Sequence, residues 1–494
     1  MNPFKKLASQ TAIYGLPTIV GRLLNYFLVP LYTYIFSPSD FGVVTELYAY
    51  VSFLAVLLTY GMETALFRFS ELKENKESVF STALISVFIS SIVFLVGILI
   101  FIKPLALKMR YEAHPEYLVW FAFIIVLDAV TAIPFAKLRQ ANKAKAFAFI
   151  KSSNIFLNIV LNLFFIVLCP KIFAHTDSFW FPLVNKIYNP QIGVGYIFIS
   201  NLCASLATFL MLLPGLLAVK YKMDKALWKE MLKYGLPLLV AGLAGMVNET
   251  MDRILLKYLS PADSNVMAQI GIYGACYKVS IIMTIFIQTY RYAAEPFFFA
   301  ESKNKNATQL YADVMKYFVI ACCLIFLGTL LYMDIVKYFV GKAFREGLFI
   351  VPILLLANLC LGVFYNLSIW YKLSGQTKFG AYLTILGAII TIVCNYAWIP
   401  IYGYAGAAWA TLVCYASIMV VSYFIGQRYY FIQYDLKRIF AYLFLSVAIF
   451  FLSKLLNDAS LAIRLTVNTL YMLAFAGLVY KLEVNNFKDS VKSA

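Results

Sequence analysis

About fourteen apolar runs follow one another along this chain, and no other feature restricts its fold as much. An α-helix needs about 20 apolar residues to cross the hydrocarbon core of a bilayer. The runs fall at roughly 11–35, 42–69, 78–102, 116–138, 146–170, 193–219, 231–259, 268–299, 310–334, 347–373, 379–400, 405–427, 438–456 and 463–481. Lipid offers no partner to a backbone N–H or C=O, so segments that cross it must be helices or a closed barrel. Long apolar runs without two-residue alternation are helices. The expected fold class is therefore all-α integral membrane, with about 14 transmembrane helices. Composition agrees, because 62% of the 494 residues are hydrophobic and only 13% are charged, against about half and a quarter in globular domains. The longest connection, roughly 171–192, is broken by Pro182, Asn189 and Pro190 and leaves no room for a soluble domain.

The net charge of +17 would suggest nucleic acid in a soluble chain. In a polytopic chain it fits loops lying beside anionic membrane lipid, so nucleic acid is not an expected partner. One set of loops holds Lys73, Lys76, Lys137, Arg139, Lys143, Lys145, Lys220, Lys222, Lys225, Lys229, Lys303, Lys305, Lys437, Arg438, Lys488 and Lys492. The other holds Lys103, Lys108, Arg110, Lys171, Lys186, Lys337, Lys342 and Arg345. Termini and span ends included, the count is about two dozen against about eleven, which places both termini in the cytoplasm. An even number of spans agrees, since it puts both termini on one side. Lys5 and Lys6 precede an apolar run too long for a signal-peptide core, so that run is expected to stay as the first span. The eight cysteines lie in or beside apolar runs without a CxxC or Cys/His pairing, and His114 and His175 fall in separate loops. No metal, disulfide framework or cofactor is expected.

The chain also repeats itself. Tyr14-Gly15-Leu16-Pro17, an apolar run and Ser37-Pro38-Ser39-Asp40 return as Tyr234-Gly235-Leu236-Pro237, an apolar run and Ser260-Pro261-Ala262-Asp263. A second echo sets Asn158, Asn162, Pro170 and Gly193-Val194-Gly195 against Asn395, Pro400, Gly403 and Gly406-Ala407-Ala408. Six spans separate the copies, so both heading helices run the same way, and the axis relating the halves lies along the membrane normal. The expected organisation is a six-helix lobe over 1–225, a second over 226–430, and two further helices with a cytoplasmic tail over 431–494.

Several motifs carry a resemblance. They are the early Tyr-Gly-Leu-Pro with Arg22, the Ser-Pro-x-Asp-Phe-Gly turn ending at Gly42, and Ile-Tyr-Gly-Ala-Cys-Tyr-Lys-Val-Ser at 272–280. Arg-Tyr-Ala-Ala-Glu-Pro-Phe at 291–297 and Gly-Tyr-Ala-Gly-Ala-Ala-Trp-Ala-Thr at 403–411 complete the set. In order and spacing the chain resembles the polysaccharide flippases of the multidrug/oligosaccharidyl-lipid/polysaccharide exporter superfamily. The resemblance implies two lobes around a central cavity, open alternately to each side of a bacterial cytoplasmic membrane. It implies outward movement of undecaprenyl-diphosphate-linked oligosaccharide, alongside glycosyltransferases and a polysaccharide polymerase as partners, and no catalysis by the chain itself. In relatives with fourteen helices the last two form a lipid-facing groove. In some lipid-carrier flippases, sodium is held between helices seven, eleven and twelve. Thr391 and Asn395 on span eleven and Thr411 on span twelve offer oxygens there, but span eleven has no carboxylate.

An ionised group at mid-bilayer costs roughly 2.5–3.5 kcal/mol on insertion scales, so it should face a cavity or a partner. Thr11, Gly15, Thr18, Arg22 and Asn25 form a polar and small stripe along span one. Arg22 then meets cargo, or pairs with Glu46 or Glu63. Lys278 lies deep in span eight, and Arg291 lies near its cytoplasmic end, where it serves cargo or anchors the helix. Lys151 has the same two readings. On span seven, Glu249 and Arg253 stand one turn apart and can neutralise each other, or Glu249 and Asp252 hold a coupling ion, Na⁺ or H⁺. Arg253 joins Arg22, Asn25, Lys151, Lys278 and Arg291 as the expected substrate-binding set. A lipid diphosphate carries about two negative charges, and arginine forks match its oxygens.

Two rival functions follow from the same chain. A drug exporter of the superfamily would want a carboxylate on the first helix, where Arg22 stands instead. A membrane-embedded polymerase or ligase would want a long outer loop rich in Arg, His or acid. The 171–192 loop offers only Lys171, His175, Asp177 and Lys186.

Overall fold

The computed structural model describes residues 21, 23–24, 26–73, 75–219, 221–261, 265–302, 304, 306–456 and 458–492, with side chains as far as Glu483. Among them, thirteen helices are long and apolar enough to cross a membrane, and a shorter apolar helix, α1 (Tyr26–Ile35), precedes them. They are α2 (Pro38–Leu72), α3 (Lys76–Ile100), α4 (Pro115–Gln140), α5 (Ala144–Phe173), α6 (Gly195–Leu217), α7 (Lys225–Leu259) and α8 (Val266–Glu301). After these come α9 (Ala307–Leu331), α10 (Lys342–Leu373), α11 (Lys378–Tyr402), α12 (Tyr404–Tyr429) and α13 (Leu436–Lys454). The last is α14 (Leu461–Lys492). The chain is an all-helical, multi-pass membrane protein, and its helices follow the apolar runs closely.

Where a limit moves, a polar residue moves it. α7 starts at Lys225 rather than near 231, because the Asp224 carboxylate accepts the amide hydrogens of Ala226 and Leu227 at 2.9 and 3.1 Å. That cap satisfies N–H groups that a helix start leaves open. Asn75 caps α3, Asn265 caps α8 and Asp435 caps α13 in the same way.

The chain divides into two compact units. Among the described residues, one comprises those up to 28 and those within 39–254, and the other those within 29–38 and from 255 on. Both changes of unit away from a turn fall inside a repeat-heading helix, in α1 and in α7. In the first unit α4 is the central helix, with 67% of its spanning window buried. Met62, Ala65, Val79, Ala83, Ile133 and Met231 form a fully buried cluster beside it. In the second unit α8 and α9 hold the centre, at 61% and 67%. Large apolar side chains such as Phe149, Phe156, Phe424 and Phe444 are exposed. An exposed apolar surface of this kind would drive association in water, and it suits a lipid surround.

The second Tyr-Gly-Leu-Pro has a local reason. α2 breaks at Tyr60 and Gly61, with φ of 31° and 75°, and Gly235 of α7 crosses that break. A Cβ on Gly235 would sit 2.7 Å from the Tyr60 carbonyl oxygen, and one on Gly61 would sit 2.8 Å from the Gly235 carbonyl oxygen. Only glycines allow two backbones this close, and Gly61 also takes a φ that side chains disfavour. Next to the crossing, Arg68 lies over the Tyr234 ring at 4.4 Å. Trp228 Nε1 donates to Ser86 Oγ at 2.7 Å.

In the second unit, the end of α1 seats on the loop before α10. Gly341 N donates to Thr33 Oγ1 at 3.0 Å, and Tyr34 Oη donates to the Tyr338 carbonyl at 3.0 Å. Of the last two helices, α14 is fastened to α9 at both ends and to α13 at one. At one end Lys316 Nζ reaches Glu483 Oε2 at 2.8 Å, and Tyr442 Oη donates to Glu483 Oε1 at 2.6 Å. At the other, Asn468 Nδ2 donates to the Leu331 carbonyl at 2.7 Å.

Candidate functional site

The first unit carries a polar seam over α2, α4, α5 and α6. Its centre is Asp128, midway along α4, whose residue is solvent-accessible. Ser205 Oγ on α6 donates to Asp128 Oδ1 at 2.8 Å. One turn earlier on α6, Asn201 Nδ2 donates to Tyr48 Oη on α2 at 2.8 Å. One turn later, Thr208 Oγ1 accepts from Asn154 Nδ2 on α5 at 2.9 Å. Lys151, one turn before Asn154, holds its ammonium 4.4 Å from the Phe135 ring centroid, within electrostatic reach of Asp128. Steps of three and four residues explain the alignment, because they bring side chains to one helix face. The seam offers a carboxylate, an ammonium, two amides and hydroxyls along one wall. Such a wall can bind sugar hydroxyls, or exchange a cation or proton at Asp128.

The second unit handles its charges differently. Glu295 on α8 accepts from Lys372 Nζ at 2.7 Å and lies 3.6 Å from Arg291 Nη2. The Arg291 guanidinium stacks 3.9 Å from the Tyr365 ring centroid. Nearby neutral groups are paired as well, Tyr290 Oη donating to Asn366 Oδ1 at 2.8 Å and Asn358 Nδ2 to Ser280 Oγ at 3.3 Å. Lys278 is half-buried on the same helix as Arg291. On α11, Asn395 Nδ2 donates to the Thr391 carbonyl at 2.7 Å, and its fully buried Oδ1 has no hydrogen bond among the described residues. Thr411 is buried on α12 and donates to the Ala407 carbonyl.

Arg22 and Asn25 lie outside the described residues. Of the two partners considered for Arg22, Glu63 is ion-paired with Arg139, and Glu46 accepts from Tyr111 Oη at 2.6 Å. On α7, Arg253 Nη1 donates to the Glu249 backbone carbonyl at 2.6 Å and to Asp252 Oδ1 at 3.1 Å. The Glu249–Arg253 neutralisation open in the sequence is thus replaced by an Asp252–Arg253 pair, with Asp252 buried and Glu249 exposed. Lys151 falls on the seam, whereas Lys278 and Arg291 fall on α8 of the other unit. Asp128 and Lys372 were missed. Asp128 is the lone charge between Glu116 and Lys137, and the cost of a mid-bilayer carboxylate was signal enough to find it.

A family model described as "Polysaccharide biosynthesis protein" matches residues 7–300. The chain belongs to that family. Among solved structures, a lipid II flippase MurJ in an inward closed conformation matches with a TM-score of 0.74 at 14% identity, covering 95% of this chain and 99% of that one. An inward-facing multidrug resistance MATE family transporter of the MOP superfamily matches at 0.61 and 16%, covering 87% and 95%. Its outward-facing counterpart matches at 0.58 and 15%, covering 88% and 96%. A search of curated proteins found no match. This polysaccharide biosynthesis family member therefore has the fold shared by the MurJ and MATE transporters.

Proposed function

We propose that the protein is an alternating-access flippase carrying undecaprenyl-diphosphate-linked oligosaccharide from the cytoplasmic to the outer leaflet of a bacterial cytoplasmic membrane. The observation that carries this reading is membership of the polysaccharide biosynthesis family in a chain whose fold covers 99% of a lipid II flippase. In this reading both termini are cytoplasmic, lobes 1–225 and 226–430 alternate, and 431–494 adds the final pair of helices. Glycosyltransferases and a polymerase supply and consume the cargo. Lys151 and Lys278, with Arg22 and Asn25 from the sequence, attract the diphosphate, and Arg253 and Arg291 join once it draws them from Asp252 and Glu295. The tyrosines and amides of the seam suit sugar hydroxyls.

Asp128 joins Glu249, Asp252, Thr391 and Asn395 as a coupling-ion group and leads them. Asp128 is accessible and held by a neutral hydroxyl, whereas Asp252 is tied to Arg253. A mid-bilayer carboxylate with that surround can take up and release H⁺ or Na⁺. The same carboxylate favours a second reading, export of a cationic drug.

The two readings part in cells. Replace the protein with Arg22→Ala or Lys278→Ala and measure surface glycan per inserted protein. The expected result is a loss of at least about tenfold with normal membrane insertion, a change of about 1.4 kcal/mol or more. Glycan export at the unsubstituted level in both variants would remove the cargo assignment.

A further inference from the structure

A cavity of about 260 Å³ opens in the second unit where four helices end together. α9 ends and α10 begins on that side, and α13 ends and α14 begins there. Ligand pockets for drug-sized molecules run from about 300 Å³ upward, so this one is too small for an oligosaccharide and large enough for a phosphate headgroup. Its walls include Leu330, Leu348, Phe349 and Pro352, and its polar lining includes Lys337, Lys454, Arg464, Asp334 and Asn468. Three cations thus face one carboxylate.

The arrangement is built rather than incidental. Asp334 Oδ1 receives both Lys337 Nζ and Arg464 Nη2 at 3.1 Å, which fixes the two cations side by side at the pocket wall. Lys454 makes no ion pair among the described residues and lies 4.7 Å from the Phe450 ring centroid. Asn468 is 6% exposed, and its Oδ1 has no hydrogen bond among the described residues while its Nδ2 holds the Leu331 carbonyl. That oxygen can accept from a hydroxyl. The side of the membrane involved is the cation-poor one, with about eleven Lys and Arg against about two dozen. Three of those few converge here, which topology alone does not require. A Lys or Arg near a membrane surface is worth about 1 kcal/mol toward an anionic lipid, and an arginine fork adds paired hydrogen bonds to phosphate.

We propose that this pocket, closed by the ends of α9, α10, α13 and α14, binds the phosphate headgroup of an anionic membrane lipid, with the lipid chains lying along its apolar wall. The site is independent of the cargo reading and of the seam around Asp128. Two sources share the chemistry, a resident anionic phospholipid and a polyprenyl diphosphate.

Native mass spectrometry of the full chain released from micelles tests this, with phosphatidylglycerol, undecaprenyl diphosphate and phosphatidylcholine as separate probes. The main variant is Lys454→Gln, which removes a pocket charge without breaking an ion pair. Arg464→Gln is the second variant, which removes the guanidinium and leaves Asp334 paired with Lys337. The expected result is one of the two anionic lipids retained over zwitterionic phosphatidylcholine, and at least about tenfold less retention in Lys454→Gln. Stronger retention of phosphatidylglycerol supports a resident lipid, and stronger retention of the diphosphate supports the carrier. Equal retention of all three lipids, or unchanged retention in both variants, would overturn the proposal.

Discussion

Two carboxylates, Asp128 in the first unit and Glu295 in the second, are partnered differently. In the first, Asp128 is held at Oδ1 by the neutral Ser205, and Lys151 rests against an aromatic ring. In the second, Glu295 gathers Lys372 and Arg291, and Glu483 gathers Lys316, Tyr442 and Arg438. A paired charge is neutralised where it stands and mainly ties helices together. A carboxylate inside a membrane protein that is held by a hydroxyl keeps its charge to offer, and such groups mark transport paths. Charge content alone does not separate a tie between helices from a carboxylate open to exchange. Lys316 and Glu483, both buried in the second unit, pair with each other across α9 and α14.

The comparison can be broken first at its largest effect. Lys316→Met should destabilise the protein by about 1.5–3 kcal/mol, because Glu483 loses its ammonium and keeps only Tyr442 and Arg438. Thermal unfolding in detergent reads this out, and a melting curve that does not move would make the clamp on α14 irrelevant. Asp128→Asn comes next. It keeps the Ser205 hydrogen bond and should shift stability by less than about 1 kcal/mol, while cutting transport at least about tenfold. If transport survives and stability drops, the two carboxylates are not different in kind. Gly235→Val should cost about 1–3 kcal/mol through overpacking against Tyr60 and Gly61, visible as a lower yield of folded protein. Pairing it with a substitution at Gly61 should add little more, since one crossing is lost only once. The smallest effect is Glu295→Gln. That carboxylate is 40% exposed, so unpairing Lys372 and Arg291 should cost about 1 kcal/mol or less and leave transport close to unsubstituted.

The span limits were legible because apolar length is a local property, and helix after helix begins within a few residues of its run. α7 departed from that only where a polar first turn and the Asp224 cap extended it beyond the reach of hydropathy. The repeated Tyr-Gly-Leu-Pro was legible as a motif, but the reason for its second glycine was not. Gly61 lies far away in sequence, and nothing in the spacing announces that two backbones meet there. Asp128 could be found from its lone position in an apolar run, whereas its partner Ser205 could not. A serine in a membrane helix usually bonds its own backbone, as Ser200 does on the same helix. Lys372 and Glu295 met for a similar reason, across helices whose pairing no single sequence spells out. Glu249 looked like the natural partner of Arg253 by helical spacing, yet the guanidinium turns to Asp252 and the backbone.

The central claim is tested most directly in proteoliposomes holding the full chain and a fluorescent undecaprenyl-diphosphate oligosaccharide, with headgroup accessibility followed over time. Separate vesicles carry a Na⁺ gradient, a pH gradient or neither. The account predicts transfer to the opposite leaflet well above protein-free vesicles, reduced at least about tenfold by Asp128→Asn and little changed by Glu295→Gln. Transfer no faster than in protein-free vesicles under every gradient, with a cationic drug exported by the same preparation, would contradict it.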